Sequence, residues 1–140
     1  MTTPDLKTVT RRFYDEIFTQ GNLDLIDELT HDDFVEHEEL PGLPPGKEGL
    51  RFFATSIREG FPDLAVSVED VIVEDNKAVS RVRMSGTHRG EFMGIPPTDK
   101  KIDVQVIDIV AYEDGKLREH WGVTDQMAMM VQLGVVAEPV

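Results

Sequence analysis

The sequence contains no cysteine in 140 residues. That excludes disulfide staples, a thiolate nucleophile, and zinc or iron–sulfur centres built on thiolates. Bases are scarce: 14 Lys plus Arg stand against 27 Asp plus Glu, a formal charge of −13. Nucleic acids and anionic membranes need clustered cations to displace counterions, so neither is an expected partner. The longest apolar runs are four or five residues, too short for a membrane span. Met1 to Asp5 carries no basic region and no apolar stretch, so a secretory leader is not expected and the reading is cytoplasmic. No G-x-S-x-G elbow, phosphate-binding loop or dinucleotide fingerprint occurs, which leaves serine nucleophiles and nucleotide chemistry without support.

What is present is an ordinary globular composition, 40% hydrophobic and 29% charged, at a length that suits one domain. The acidity is uneven. Residues 1–70 hold 16 acids and 6 bases, while residues 71–140 hold 11 acids and 8 bases. No base lies between Arg12 and Lys47, a stretch that carries ten acids from Asp15 to Glu39. A solvated acidic face explains this, because the spacing of a calcium-binding loop is missing.

Periodicity divides the chain in two. Leu6, Val9, Phe13, Ile17 and Phe18 recur at helical spacing over residues 5–20, and Gly21 follows as a stop signal. Gly21 or Asn22 is expected to cap a short second helix through Leu23, Ile26 and Leu29. Phe34-Val35 opens a brief extended piece that runs into a Pro/Gly loop over 40–46. A third helix is expected over 47–59, with Leu50, Phe53, Ala54 and Ile57 as its buried stripe. From Leu64 the period becomes two. Strands are expected to either side of Asp75-Asn76, from Lys101 to Tyr112, and from Leu117 to Val123 after the turn Glu113-Asp114-Gly115-Lys116. Helices first and long strands after make an α+β chain with one curved antiparallel sheet.

One residue breaks the pattern. Asp108 shares a strand face with Ile102, Val104, Val106, Val110 and Tyr112. A buried carboxylate costs several kcal/mol unless it is paired or protonated, so it is a candidate general acid or base. Its cross-strand neighbour depends on the hairpin. A plain two-residue turn sets Trp121 opposite Asp108, whereas a glycine bulge at Gly115 sets His120 there, and alternation alone leaves both open. His37 and His88 lie at strand ends, where sites tend to assemble. Trp121 and the methionines, Met93 among them, suit either a core or a pocket wall for a flat ligand. No histidine pair has metal-ligand spacing, and Glu36-His37-Glu38 is a weak cluster, so no metal is expected; with no nucleotide fingerprint, no cofactor is expected either.

Gly86-Thr87-His88-Arg89-Gly90-Glu91-Phe92-Met93-Gly94-Ile95-Pro96-Pro97-Thr98 resembles a loop of the SnoaL-like polyketide cyclases, the ester cyclase family. So does Asp114-Gly115-Lys116-Leu117-Arg118-Glu119-His120-Trp121, followed by Asp125 and by Gln132-Leu133-Gly134. The resemblance covers about residues 5–134 and implies a single domain over 1–140 with the nuclear transport factor 2-like, cystatin-like fold. That fold is a cone of curved antiparallel sheet around a central pocket closed by N-terminal helices, and it favours the bulged hairpin. It further implies cofactor-independent aldol cyclisation of an ester. A homo-oligomer, dimer or tetramer, is expected from the residues themselves. Met129 to Val136 is an apolar stretch suited to such a contact. Carried over, the family's two histidine positions fall at Asp108 and His120, and its acid/base aspartate falls at Gly122. Asp125 is retained, where a helix N-cap role also fits.

The expectation is therefore an enzyme in which Asp108 abstracts a proton alpha to a carbonyl and His120 steadies the enolate. His37, His88, Trp121, Met93 and Asp125 would contact a hydrophobic or aromatic small molecule. The alternatives are a non-catalytic binding module, to which Gly122 would point, and a hydrolase or epoxide-opening enzyme of the same fold.

Overall fold

The computed structural model describes residues 5–38, 40 and 42–137. Met1 to Pro4, Glu39 of the acidic stretch, Pro41 of the Pro/Gly loop, and the last three residues lie outside the described residues. Helix α1 (Leu6–Arg12) is N-capped by Asp5, whose carboxylate accepts from the Lys7 N–H at 3.1 Å. It widens into a π-helical segment, Phe13–Thr19, that buries Phe13, Tyr14, Ile17 and Phe18. Arg58 donates to the carbonyls of Phe18 and Thr19 at its end, and Gly21 then turns the chain at φ 78°. A side chain at Gly21 would collide with that guanidinium, 2.6 Å from a Cβ to Nε.

Helix α2 (Leu25–Leu29) starts from Asp24, not from Gly21 or Asn22, and makes no side-chain cap bond. It feeds β1 (Thr30–Glu36); α3 (Gly46–Gly60) follows, burying Leu50, Ala54 and Ile57 as the periodicity requires. Strands β2 (Ala65–Glu74), β3 (Lys77–Thr87), β4 (Lys101–Glu113) and β5 (Lys116–Thr124) form the sheet with β1, and α4 (Gln126–Gln132) closes the chain. The strand order is β1-β5-β4-β3-β2. Ile17, Ile26 and Ile57 are fully buried between the helices and the inner sheet face. Truncating any of them to alanine is worth about 2–5 kcal/mol.

Two further expectations, both about the sheet, need correction. The sheet is mixed, because β1 pairs parallel to β5. Most of the chain separates these strands, so no hairpin dictates their direction. The hairpin register also follows neither expected form. Its turn is the plain one, with Glu113 opposite Lys116 and both Asp114 and Gly115 at positive φ. The extra residue is Arg118, since Tyr112 faces Leu117 while Ala111 faces Glu119. Every partner beyond that bulge moves by one. Asp108 therefore faces Gly122, Ile109 faces Trp121, and Val110 faces His120. No described helix is long and apolar enough to cross a membrane.

Candidate active site

The bulge decides which side chains enter the interior. Leu117 faces inward before it and His120 faces inward after it, a change of parity that straight alternation forbids. His120 then lies diagonal to Asp108 on the same face, within reach of a long side chain. On β1, Phe34 is buried and Glu36 shares its inward face while Val35 points out; just past the strand's end His37 stacks on the outer face and Glu38 lines the same cavity as Glu36. Tyr14 descends from the π-helical segment onto the same spot.

These groups line a cavity of about 100 Å³, on the scale of one aromatic ring. Apart from Thr124 and Gln126, its remaining walls are apolar, with Phe13, Phe18, Leu50, Phe53, Val82 and Met129 among them. Among the described lining residues there is no lysine or arginine. At the polar end Asp108, only 5% exposed, accepts at both oxygens. Tyr14 donates its hydroxyl proton to Oδ2, and His120 Nε2 stands 2.7 Å from Oδ1. His120 Nδ1 lies 2.6 Å from Glu36 Oε1, which also accepts the Glu38 N–H at 2.9 Å. Ser80 Oγ is 3.1 Å from the Tyr14 hydroxyl.

The electrostatics follow from this chain of contacts. Burial alone would lower the His120 pKa, but hydrogen bonds and charge from Asp108 and Glu36 outweigh it and push it up to about 10. His120 is therefore an imidazolium at neutral pH, with both N–H groups donated to carboxylates. Tyr14 is held neutral, its pKa raised well above the usual phenol value by burial and by the adjacent Asp108 charge. Burial likewise raises the Glu38 pKa, with repulsion from Asp108 and Glu36 adding to it and attraction to His120 opposing.

Of the residues singled out in the sequence, the structure brings Asp108, His120 and Met93 to the cavity. His37 and Trp121 stand on the outer face, stacked ring on ring at 4.6 Å and 6°. Glu119 lies 3.1 Å from His37 Nε2, and Lys77 sits over the indole. His88 is fully buried against Phe61, its Nδ1 accepting the Thr98 N–H at 3.2 Å, and does not line the cavity. Asp125 caps α4 by accepting from the Ala128 N–H at 3.0 Å. Tyr14 and Ser80 are not singled out in the sequence, and Glu36 and Glu38 figure there only as part of a weak metal cluster. The inward parity of Phe34 was the signal for Glu36.

Glu38, Asp108 and His120 present ligand atoms within 4.8 Å of one another, so they are the cavity residues that could hold a cation. A metal on His120 Nε2 would have to displace the Asp108 hydrogen bond.

The family model of the SnoaL-like polyketide cyclases matches residues 8–133. The chain belongs to that family. It is 28% identical over 120 residues to nogalonic acid methyl ester cyclase of Streptomyces nogalater, covering 84% of this chain and 89% of the relative. Aklanonic acid methyl ester cyclase DnrD of Streptomyces peucetius is 26% identical over 123 residues, covering 85% of this chain and 84% of the relative. Among solved structures, TsrD from Streptomyces laurentii superposes with a TM-score of 0.86 at 28% identity, covering 96% of this chain and all of that one. The α+β architecture of the family is thus the architecture found here.

Proposed function

We propose that the protein is a cofactor-independent cyclase that works by acid–base chemistry on a neutral carbonyl or ester compound with an apolar, ring-bearing body. The observation that carries this reading is the Asp108–His120 pair, 2.7 Å apart on the wall of an apolar cavity. A fixed imidazolium in such a wall is the positive charge that a developing enolate would meet, without solvent reorganisation. The lining favours an ester over a free acid. Three carboxylates and one imidazolium leave no unpaired cation to receive a ligand carboxylate, whereas an ester carbonyl carries no charge to be repelled. The methyl esters on which the two Streptomyces cyclases are named to act have that chemistry.

An intramolecular aldol closure conserves mass, so the test is direct. Incubation with aklanonic acid methyl ester should give a product of new retention time and unchanged mass. Asp108→Asn should lower turnover about 10²–10⁴-fold, the usual worth of positioned acid–base groups. Wild-type turnover in Asp108→Asn would sink the assignment of this pair.

A further inference from the structure

Of the three carboxylates at the end of the cavity, Glu38 is the one held most loosely among the described residues. Both Asp108 oxygens accept, from Tyr14 and from His120. Both His120 nitrogens are engaged, and Glu36 Oε1 serves His120 and a backbone N–H. Glu38 differs. Its Oε2 accepts a long bond from Thr124 Oγ1 at 3.4 Å, and its Oε1 has no hydrogen-bond partner among the described residues. The carboxylate lines the cavity and lies in the space that a side chain at residue 122 would take. A Cβ on Gly122 would overlap Asp108 Oδ1 and stand 2.8 Å from both Glu38 Oε1 and His120 Cε1. Glycine at 122 thus admits the Glu38 carboxylate from the end of β1 to the face of the Asp108–His120 pair.

We propose that Glu38 is the residue that moves the proton, and that Asp108, Glu36 and Tyr14 hold His120 charged and in place. This rests on the reading of the cavity as an acid–base site. Glu38 Oε1 takes a proton from the carbon alpha to the substrate carbonyl; the C–H bond breaks and its electron pair becomes the enolate beside His120. After that carbon bonds to the acceptor carbonyl, the same proton returns from Glu38 to the new alkoxide oxygen. Atoms and charge balance without a co-reactant. The upward displacement of the Glu38 pKa by burial suits both halves, since a carboxylate of raised pKa is a stronger base and gains its proton more readily.

The test uses 1-tetralone, a bicyclic aryl ketone, in deuterated water, with alpha exchange followed by mass spectrometry alongside turnover of the methyl ester. The wild type should exchange above background, and Glu38→Gln should lose about 10²–10⁴-fold of both rates while thermal-shift binding of tetralone persists. The wild-type pH–rate profile should rise along a limb that Asp108→Asn retains at a lower plateau and Glu38→Gln lacks. Wild-type exchange in Glu38→Gln, or a limb lost with Asp108 and kept without Glu38, overturns the assignment of Glu38 alone. A wild-type protein that neither exchanges tetralone nor closes the ester overturns the acid–base reading of the cavity itself.

Discussion

The charge on His120 has a measurable consequence for stability. Its pKa stands at about 10 in the folded protein against 6.5 for the free side chain, a displacement worth about 5 kcal/mol at most. The side chain is only 16% exposed, so solvent screening removes little of this. Because the folded pKa is the higher one, the stabilisation is complete below 6.5, where both states are protonated. It is lost as pH rises from 6.5 through about 10, where the native state holds a proton that the unfolded chain has released. The perturbation is His120→Gln, which keeps a polar side chain but cannot titrate. Urea unfolding of wild type and variant across this range should show a stability gap that narrows by several kcal/mol, a large share of a typical total of about 5–15 kcal/mol. In parallel, the imidazole Cε1–H resonance should stay at its charged position through neutral pH. A resonance that titrates near 6.5, or a gap equal at both ends of the range, would refute the enclosure of His120 between Glu36 and Asp108.

Gly122→Ala should lower stability by about 1–3 kcal/mol, the usual cost of overpacking, since its methyl group would overlap Asp108 Oδ1 and crowd Glu38 and His120. A urea midpoint equal to wild type would mean that those three groups do not converge beneath residue 122. His37→Ala should leave turnover within about a factor of two, as an outer-face change does, yet shift the emission of Trp121, on which the ring stacks. A large loss of turnover would place His37 in the chemistry after all.

The contrast between His37 and His120 shows where sequence reasoning reaches. Along β4 the alternation from Ile102 to Tyr112 sets the buried face outright, and Asp108 stands out there because one carboxylate breaks an apolar row. The stripe of α3 and the stop at Gly21 are equally local, set by spacing and by a backbone angle that glycine tolerates. Register is another matter. The bulge at Arg118 has no glycine or other turn residue to mark it, and it shows only in how β5 pairs with β4. Whether His120 or Trp121 faces inward therefore depends on pairing that no short segment encodes. The same holds for β1, where the parity of Phe34 fixes Glu36 only once that strand has joined β5.

Gly122 looks different in this light. Taken residue by residue, a glycine where the family carries an acid/base aspartate suggests chemistry that has been lost. In the folded chain the site is not short of carboxylates: Asp108, Glu36 and Glu38 stand around one imidazolium, and Asp108 and Glu38 can approach it together because residue 122 has no side chain to exclude them. An aspartate added at 122 to this set would bring a fourth carboxylate against Asp108 and Glu38, where like charges at short range cannot all stay ionised. Glycine is the residue consistent with this cluster. The acid–base capacity of the cavity then depends on the strand neighbouring β5, and on the bulge that turns His120 inward to meet it.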